Sequence, residues 1–518
     1  MREKVFSTVL LLSATLGASA QESMTVTTNK FVATGATMAF ARSVIVSDDD
    51  VTEEGVCWST SKNPTLLDSH STDCFYKNGK IFKITDLTPS TFYYVRAYAK
   101  DSSGNVAYGN AVKIATLPQG NVDYTYTNGG TDEVNARITN SLEEMKYLYR
   151  QLTSITDVTI KVYFDESTTT ASCYYGGPMN VGPNPRNQLT GTILHEANHA
   201  FGVGTQSNWK NNALLRENTS RGKWLGRRAN EMVRFLENDD KAYMTGDDQH
   251  MWPGTTSSNK CLSYGVNGEW EDVATDDNKL LYYGNVLLTH AHHQDGLLAK
   301  ESLDFATPAY VFTQDDDTKY YLKCESDKYA TTTGFLTTDD SDLMQVEQVS
   351  KQEALVNDKY AWQITYNPVT CLYIIKNIGT GRYFSFIKNR VRNAAYEVPG
   401  DTEEFQMMPS QKDYTIGTFS CPTYGFVKSK TALKGGSPTT SSALFTSKSS
   451  STDQRWLVLD EEQLEAFYSQ VEATAISEVK TDTDDINSAV YNLNGVRMNT
   501  ESLPKGVYIK NGKKVVVK

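Results

Sequence analysis

The sequence predicts a multidomain protein: a β-sandwich, then an α/β domain, then a β domain built from a threefold repeat, and a small C-terminal β-module. Three observations carry this expectation. Apolar residues alternate with a strand period before about residue 118, take a helical period between 121 and 305, and return to alternation afterwards. Strand-like segments recur three times between residues 306 and 460. Six of the seven histidines fall within 121–305, so chemistry is expected there.

The chain of 518 residues opens with a short charged start, an apolar run from Val5 to Leu16, and the small-residue ending Gly17-Ala18-Ser19-Ala20. That pattern is expected to be a signal peptide, residues 1–20, which places the mature protein outside the cell or on a bacterial cell surface. The run is shorter than the roughly 20 residues a spanning helix needs, so no transmembrane anchor is expected. A net charge of -12 without a basic, aromatic-interleaved cluster argues against nucleic acid as a partner. The seven cysteines are scattered and form no CxxC pair; a Cys57–Cys74 bridge is one arrangement the spacing leaves open.

In the first domain, 22–117, strands are expected at Met24–Thr28, Thr37–Val46, Gly55–Ser59, Phe92–Ala99 and Ala111–Ala115, with Tyr93, Val95, Ala97 and Ala99 on one face. The stretch from Leu87 to Ala97, with Leu, Pro, Thr, Tyr and Val at alternating positions, resembles the fibronectin type III pattern. No chemistry-bearing cluster accompanies it, and a spacer or adhesion role is expected.

In the second domain, 121–305, helices are expected around Leu142–Tyr149, Leu189–Phe201, Gly222–Leu236 and Leu280–Ala291, a strand at Val158–Phe164, and a Gly/Pro-rich loop from Gly176 to Pro185. The third domain, 306–460, repeats Tyr320–Lys323, Tyr373–Lys376 and Tyr424–Lys428, each followed by a second element: Trp362-Gln363-Ile364, Phe405-Gln406-Met407 and Trp456-Leu457-Val458. Three such units bury their apolar faces by closing on one another, which makes the domain β-trefoil-like. Gln454-Arg455-Trp456 resembles the Gln-x-Trp motif of ricin-type lectin domains, so carbohydrate binding is a candidate role. An acidic linker is expected at 461–485. The final module, 486–518, reads as three short strands with turns at Asn494-Gly495 and Asn511-Gly512. Its Asn-Leu-Asn-Gly and Leu-Pro-Lys-Gly-Val-Tyr elements resemble the C-terminal sorting domain that gliding and oral Bacteroidetes-type bacteria use for type IX export.

The decisive segment is Leu194-His195-Glu196-Ala197-Asn198-His199-Ala200-Phe201-Gly202. On a helix, positions four apart stack one above the other, so the imidazoles of His195 and His199 converge on one ion. Glu196 lies about 100° round from His195, beside the metal, where a carboxylate takes a proton from activated water and passes it on. A catalytic zinc site ordinarily has three protein ligands and one open position. His250, on the polar turn Gly246-Asp247-Asp248-Gln249-His250, is the first choice for the third. His290, His292 and His293 form a second group, and Glu217 or Glu231 would serve in a thermolysin-like arrangement. Tyr264 is a candidate donor to the developing oxyanion. Val158–Phe164, or the segment Met179-Asn180-Val181, would align an extended substrate.

The segment resembles the zincin metallopeptidase helix, with a glycine three residues after the second histidine as in metzincins. The metzincin third histidine would fall at Thr205, which does not replace an imidazole. Leishmanolysin-like members place that histidine on a distant segment, and His250 suits this arrangement. The resemblance implies a zincin-like catalytic domain, zinc as cofactor, and Met251 or Met244 as the methionine beneath the metal. The expected function is that of a secreted zinc endopeptidase acting on a protein or glycoprotein substrate. A glycan-directed zinc enzyme, or a surface adhesin with a structural metal, are the competing readings.

Overall fold

The computed structural model describes residues 24–48, 50–76, 79–218, 221–254, 276–298, 310–311, 317–326, 334–338, 344–385, 394–396, 404–428, 431–434, 444–447, 451–478, 489–498, 503–510 and 513–517. The signal-peptide expectation for 1–20, Cys261 and Tyr264 lie outside these residues.

Residues 24–117 form two facing sheets. One pairs Thr25–Thr28, Ala39–Val46, Ile81–Ile84 and Cys74–Phe75; the other pairs Val112–Ala115, Phe92–Asp101, Val51–Ser59 and Ser69–Ser71. Val95, Ala97 and Ala99 turn inward to a core that includes Val56, Phe82 and Ile114, as the alternation requires. The acidic turn after Val46 joins strands in different sheets, so it is a crossing between layers and not a hairpin. Cys57 and Cys74 are free thiols on opposite sheets. The Cys57 thiol points at the Pro64 and Arg96 carbonyls, which rules out the bridge that the spacing left open.

The first module packs directly against the domain that follows it. Its Ala33, Met38, Phe40, Phe75 and Ile81 belong to the same buried cluster as the helices of the following domain. Arg42 reaches across, donating from Nε to the Phe235 carbonyl at 2.5 Å and from Nη2 to the Leu236 carbonyl at 3.0 Å. Those carbonyls end the helix Arg227–Glu237, where the backbone leaves acceptors unpaired and a cation meets the negative end of the helix dipole.

The second domain is built on a four-stranded sheet. Asp123–Thr127 and Thr159–Phe164 run parallel, Met179–Val181 continues in parallel, and Ala171–Cys173 closes the edge antiparallel. Helix Asp132–Leu152 bridges the first two strands. Thr131 caps it by accepting from the Val134 amide, and Ile138, Leu142, Met145, Tyr149 and Leu152 form its buried stripe. The loop expected at Gly176–Pro185 contains the strand Met179–Val181. The helix expected from Gly222 begins only at Arg227, because Arg221–Trp224 pairs with Arg216–Asn218 as a hairpin and Asp295 caps the helix from outside. Its carboxylate accepts from the amides of Arg228 and Ala229 and from Trp224 Nε1.

In the third domain, strands close into a ring. Tyr320–Cys324 pairs with Ala361–Asn367, followed in order by Leu372–Asn377, Glu404–Pro409, Thr423–Lys428 and Trp456–Leu459, which returns to Tyr320–Cys324. Three hairpins accompany the ring: Gly334–Thr338 with Met344–Gln348, Tyr383–Ser385 with Ala394–Tyr396, and Thr431–Lys434 with Leu444–Ser447. The arrangement is trefoil-like. Trp362 and Trp456 occupy corresponding positions, fully buried, each donating its indole N–H to a hairpin carbonyl, Leu336 and Leu433 respectively. Trp456 of the Gln-x-Trp motif is therefore a core residue.

The segment from 461, expected as a linker, is helical over Glu461–Glu478. Leu464, Phe467 and Tyr468 bury against Tyr321, Phe335, Leu457 and Leu459, which is enough apolar surface to hold a helix on the ring. The tail has four strands where three were expected: Val490–Asn492, Arg497–Met498, Gly506–Lys510 and Lys513–Val517. Among the described residues no helix is long and apolar enough to cross a membrane.

Candidate metal centre

The motif helix runs from Thr190 to Ala200 and is buried on nearly every side. Three contacts hold it in place. Asn198 Oδ1 accepts from Thr289 Oγ1 at 2.7 Å, the Phe201 ring packs tilted against Tyr149 with ring centroids 4.5 Å apart, and His293 Nε2 lies 2.9 Å from the Phe201 carbonyl oxygen. The chain then turns at Gly202, φ +107°, and Gly204, φ +72°, a backbone region that glycine enters without penalty.

His195, His199 and His250 come together. Their candidate ligand atoms all lie within 4.8 Å of one another. The ring centroids form a nearly equilateral triangle with sides of 5.1, 5.2 and 5.5 Å. His199 Nδ1 lies 2.8 Å from the Val203 carbonyl oxygen, which leaves Nε2 for an ion. Thr205, at the metzincin third-ligand position, donates to the His199 carbonyl.

His250 arrives on the turn of a hairpin, Tyr243–Gly246 paired with Met251–Gly254. Asp247 shapes that turn. Its Oδ1 accepts from the Gln249 amide at 2.8 Å and the His250 amide at 2.7 Å, and lies 3.4 Å from His250 Nδ1. These bonds hold the Asp247 carboxyl below the usual carboxylate range despite partial burial. A carboxylate behind a histidine fixes ring orientation and makes the far nitrogen a better donor.

The turn is clamped from two sides. The Trp209 indole donates to the Asp247 carbonyl at 3.0 Å, and Arg216 Nη2 donates to the Gly246 carbonyl at 3.0 Å while its guanidinium lies 4.5 Å over the Trp209 ring. Arg216 is only 1% exposed. Opposite it, a Cβ on Gly204 would stand 2.2 Å from the Gln249 carbonyl oxygen, so glycine is needed for this close approach. Replacing Arg216 with Met is expected to keep the fold and weaken metal affinity about 10- to 100-fold, the range for lost outer-sphere support. Competition with a chromophoric chelator measures this, and an unchanged affinity would remove the clamp from the account.

Glu196 is buried beside the triangle. Burial pushes its carboxyl up to about 8, and its Oε2 has no hydrogen-bond partner among the described residues. Nearby, Ala171–Cys173 forms the edge of the sheet that faces the cleft, while Thr159–Phe164 and Met179–Val181 are paired on both sides over residues 162–163 and 179–181. The strand that lines the cleft is thus Ala171–Cys173, and neither segment expected to align substrate is among the lining residues. A cleft of about 900 Å³ joins this edge to His195, Glu196, His199 and His250.

The other candidate ligands lie elsewhere. His290 contacts Ser154 Oγ at 3.0 Å, and His292 contacts the Leu288 carbonyl and packs against Trp209 and Trp224. With His293 they are buried packing groups outside the metal cluster. Glu231 pairs with Arg228, and Glu217 sits exposed in the Arg216–Asn218 strand. Met251 and Met244 are fully buried in the His250 hairpin. Sequence reasoning missed Asp247, Trp209, Arg216 and Gly204. Asp247 carried a local signal, since Asp followed by backbone amides two and three residues on marks a turn.

No protein-family model matches the chain, and no curated protein matches it. Among solved structures, a GlcNAcα1-4Gal-releasing endo-β-galactosidase from Clostridium perfringens is similar at 12% identity, covering 30% of this chain and 35% of that one, TM-score 0.23. The chain therefore spans about a third of that enzyme's length. The Rhizoctonia solani agglutinin is similar at 12% identity, covering 29% of this chain and 99% of that one, TM-score 0.21. The sixth fibronectin type III domain of a human fibronectin type III domain-containing protein is similar at 24% identity, covering 20% of this chain and 86% of that one, TM-score 0.14.

Proposed function

We propose that this protein is a zinc-dependent hydrolase that cleaves peptide bonds, with glycoproteins as its substrates, after export to the cell exterior or cell surface. The observation that carries the proposal is a buried carboxylate with an unpartnered oxygen, Glu196, beside three convergent imidazoles at the wall of an open cleft. A buried polar atom without a partner costs stability, and such atoms concentrate where a ligand or reactant completes them. Three nitrogen donors are the complement of a catalytic zinc, whereas a structural zinc closes its fourth position with protein.

Bound by these nitrogens, zinc supplies positive charge that acidifies a water and polarises the scissile carbonyl. The residues of the chain do the rest. Burial alone would keep the Glu196 carboxyl neutral, but a dication held by the three imidazoles would favour its ionised form; as carboxylate it accepts the proton from the attacking water as the water oxygen bonds to the carbonyl carbon. The same carboxyl then returns that proton to the amide nitrogen as the C–N bond breaks. Asp247 keeps the His250 ring oriented, and the backbone of Ala171–Cys173 offers its free edge to an extended substrate strand.

A second reading, a glycan-directed hydrolase using the same centre, is favoured by the polar and aromatic walls of the cleft. One experiment separates the two. With a mucin-like glycoprotein, the full chain is expected to release new peptide amino termini, to stop after chelation, and to resume with one equivalent of zinc. Release of reducing sugar without new amino termini would replace the peptide-bond reading with the glycan one.

A further inference from the structure

Beyond the metal ligands and Glu196, the cleft is lined by hydroxyl and amide side chains such as Ser172, Asn184 and Asn187, by two cations, Arg186 and Lys210, and by small residues. Among the described residues its lining contains no Val, Leu, Ile or Met, the side chains that build a pocket for a leucine- or phenylalanine-like group. The large apolar surfaces it does offer are two ring faces, Tyr174 and Tyr175. They are 64% and 45% exposed, although large apolar groups are usually turned inward.

The backbone that carries both rings is held in place. Tyr174-Tyr175-Gly176-Gly177 is a tight turn in which the Gly177 amide donates to the Tyr174 carbonyl at 2.8 Å, with Gly176 and Gly177 at φ +73° and +86°. The Gly176 amide donates to the Ala200 carbonyl at 2.9 Å, so the turn is tied to the C-terminus of the helix that carries His195 and His199. The backbone positions from which the two tyrosines project are therefore fixed relative to the reacting centre, which removes the main-chain part of the ordering cost on binding.

We infer that this turn is a sugar-stacking subsite and that the cleft takes a peptide glycosylated next to the scissile bond. The inference rests on the hydrolase reading and gives it a substrate class. A pyranose ring has an apolar C–H face and a rim of hydroxyls. Tyr174 and Tyr175 match the face, and the Asn184 and Asn187 amides match the rim, since each donates and accepts. The cleft of about 900 Å³ accommodates such a bulky residue beside an extended backbone.

The test uses the full chain with zinc and a threonine-centred decapeptide, bare or bearing one O-linked disaccharide. The glycopeptide is expected to be cleaved with the higher kcat/KM. In Y174A/Y175A the preference for glycopeptide over bare peptide is expected to fall about tenfold, the product of two lost aromatic contacts. Calorimetric binding of the glycopeptide to E196Q, with and without the tyrosine substitutions, is expected to show the same factor. Equal rates on both peptides, or equal losses on both in Y174A/Y175A, would overturn the subsite. Tyrosine-dependent glycopeptide binding without peptide cleavage would support the subsite while removing the peptidase reading.

Discussion

Glu196→Gln is expected to lower peptide hydrolysis by about 10²- to 10⁴-fold, the usual share of a general base, while the protein still binds one zinc. Glutamine keeps the shape of the side chain but does not accept and return the proton. Metal binding survives because Glu196 is outside the group of converging donors. Stability should not fall either, since a neutral amide is no harder to bury than a carboxyl with an unpartnered oxygen. Metal analysis, kcat on a fluorogenic glycopeptide and a thermal melt measure the three quantities together. Activity within a few-fold of wild type would remove Glu196 from the chemistry. Loss of zinc along with activity would make it a metal-site residue.

Acidification is expected to destabilise the protein through three buried histidines outside the candidate metal centre. Burial pushes His290 and His292 down to about 3 and His293 to about 4. In the unfolded chain each titrates near its ordinary value of about 6.5. Below that pH the unfolded chain binds protons that the folded state does not, so stability falls as pH drops from about 6.5 towards 4. At pH 5 the loss is about 2 kcal/mol per imidazole, or roughly 6 kcal/mol for the three. Asp295 works the other way, because burial raises it to about 6 and the folded state gains its proton first. That offset is only about 1 kcal/mol at pH 5. Urea unfolding of metal-free E196Q at pH 7, 6 and 5 isolates the effect from metal loss and from Glu196. A flat profile across that range would contradict the burial of these rings.

The strands of the first module and the repeated strands of the third were legible because alternation is a local property: Val95, Ala97 and Ala99 face inward wherever the sheet lies. The His195 and His199 pairing is local in the same sense, being one helical turn. The clamp on the His250 turn was not legible, because Arg216 and Trp209 become its neighbours only after a hairpin and a helix have packed. A fully buried arginine, moreover, reads as a surface residue in sequence. The helix at Glu461–Glu478 is an intermediate case. Leu464, Phe467, Tyr468 and Val471 form a helical stripe, but the acidic residues around them read as a linker until the apolar spacing is given more weight than composition. Hairpin Arg216–Asn218 with Arg221–Trp224 replaced the expected start of a helix because Asp295, distant in sequence, supplies that helix's cap.

The grip of Arg42 on the last turn of the Arg227–Glu237 helix bears on how this chain can be taken apart. Asp295 fastens one end of that helix and the two-sheet sandwich of residues 24–117 fastens the other, so the two modules should melt as a single cooperative unit. Cutting the gene near residue 118 would leave apolar side chains bare on both fragments. In this chain, then, the sandwich and the α/β domain beside it share one core and have no clean seam at which to be parted.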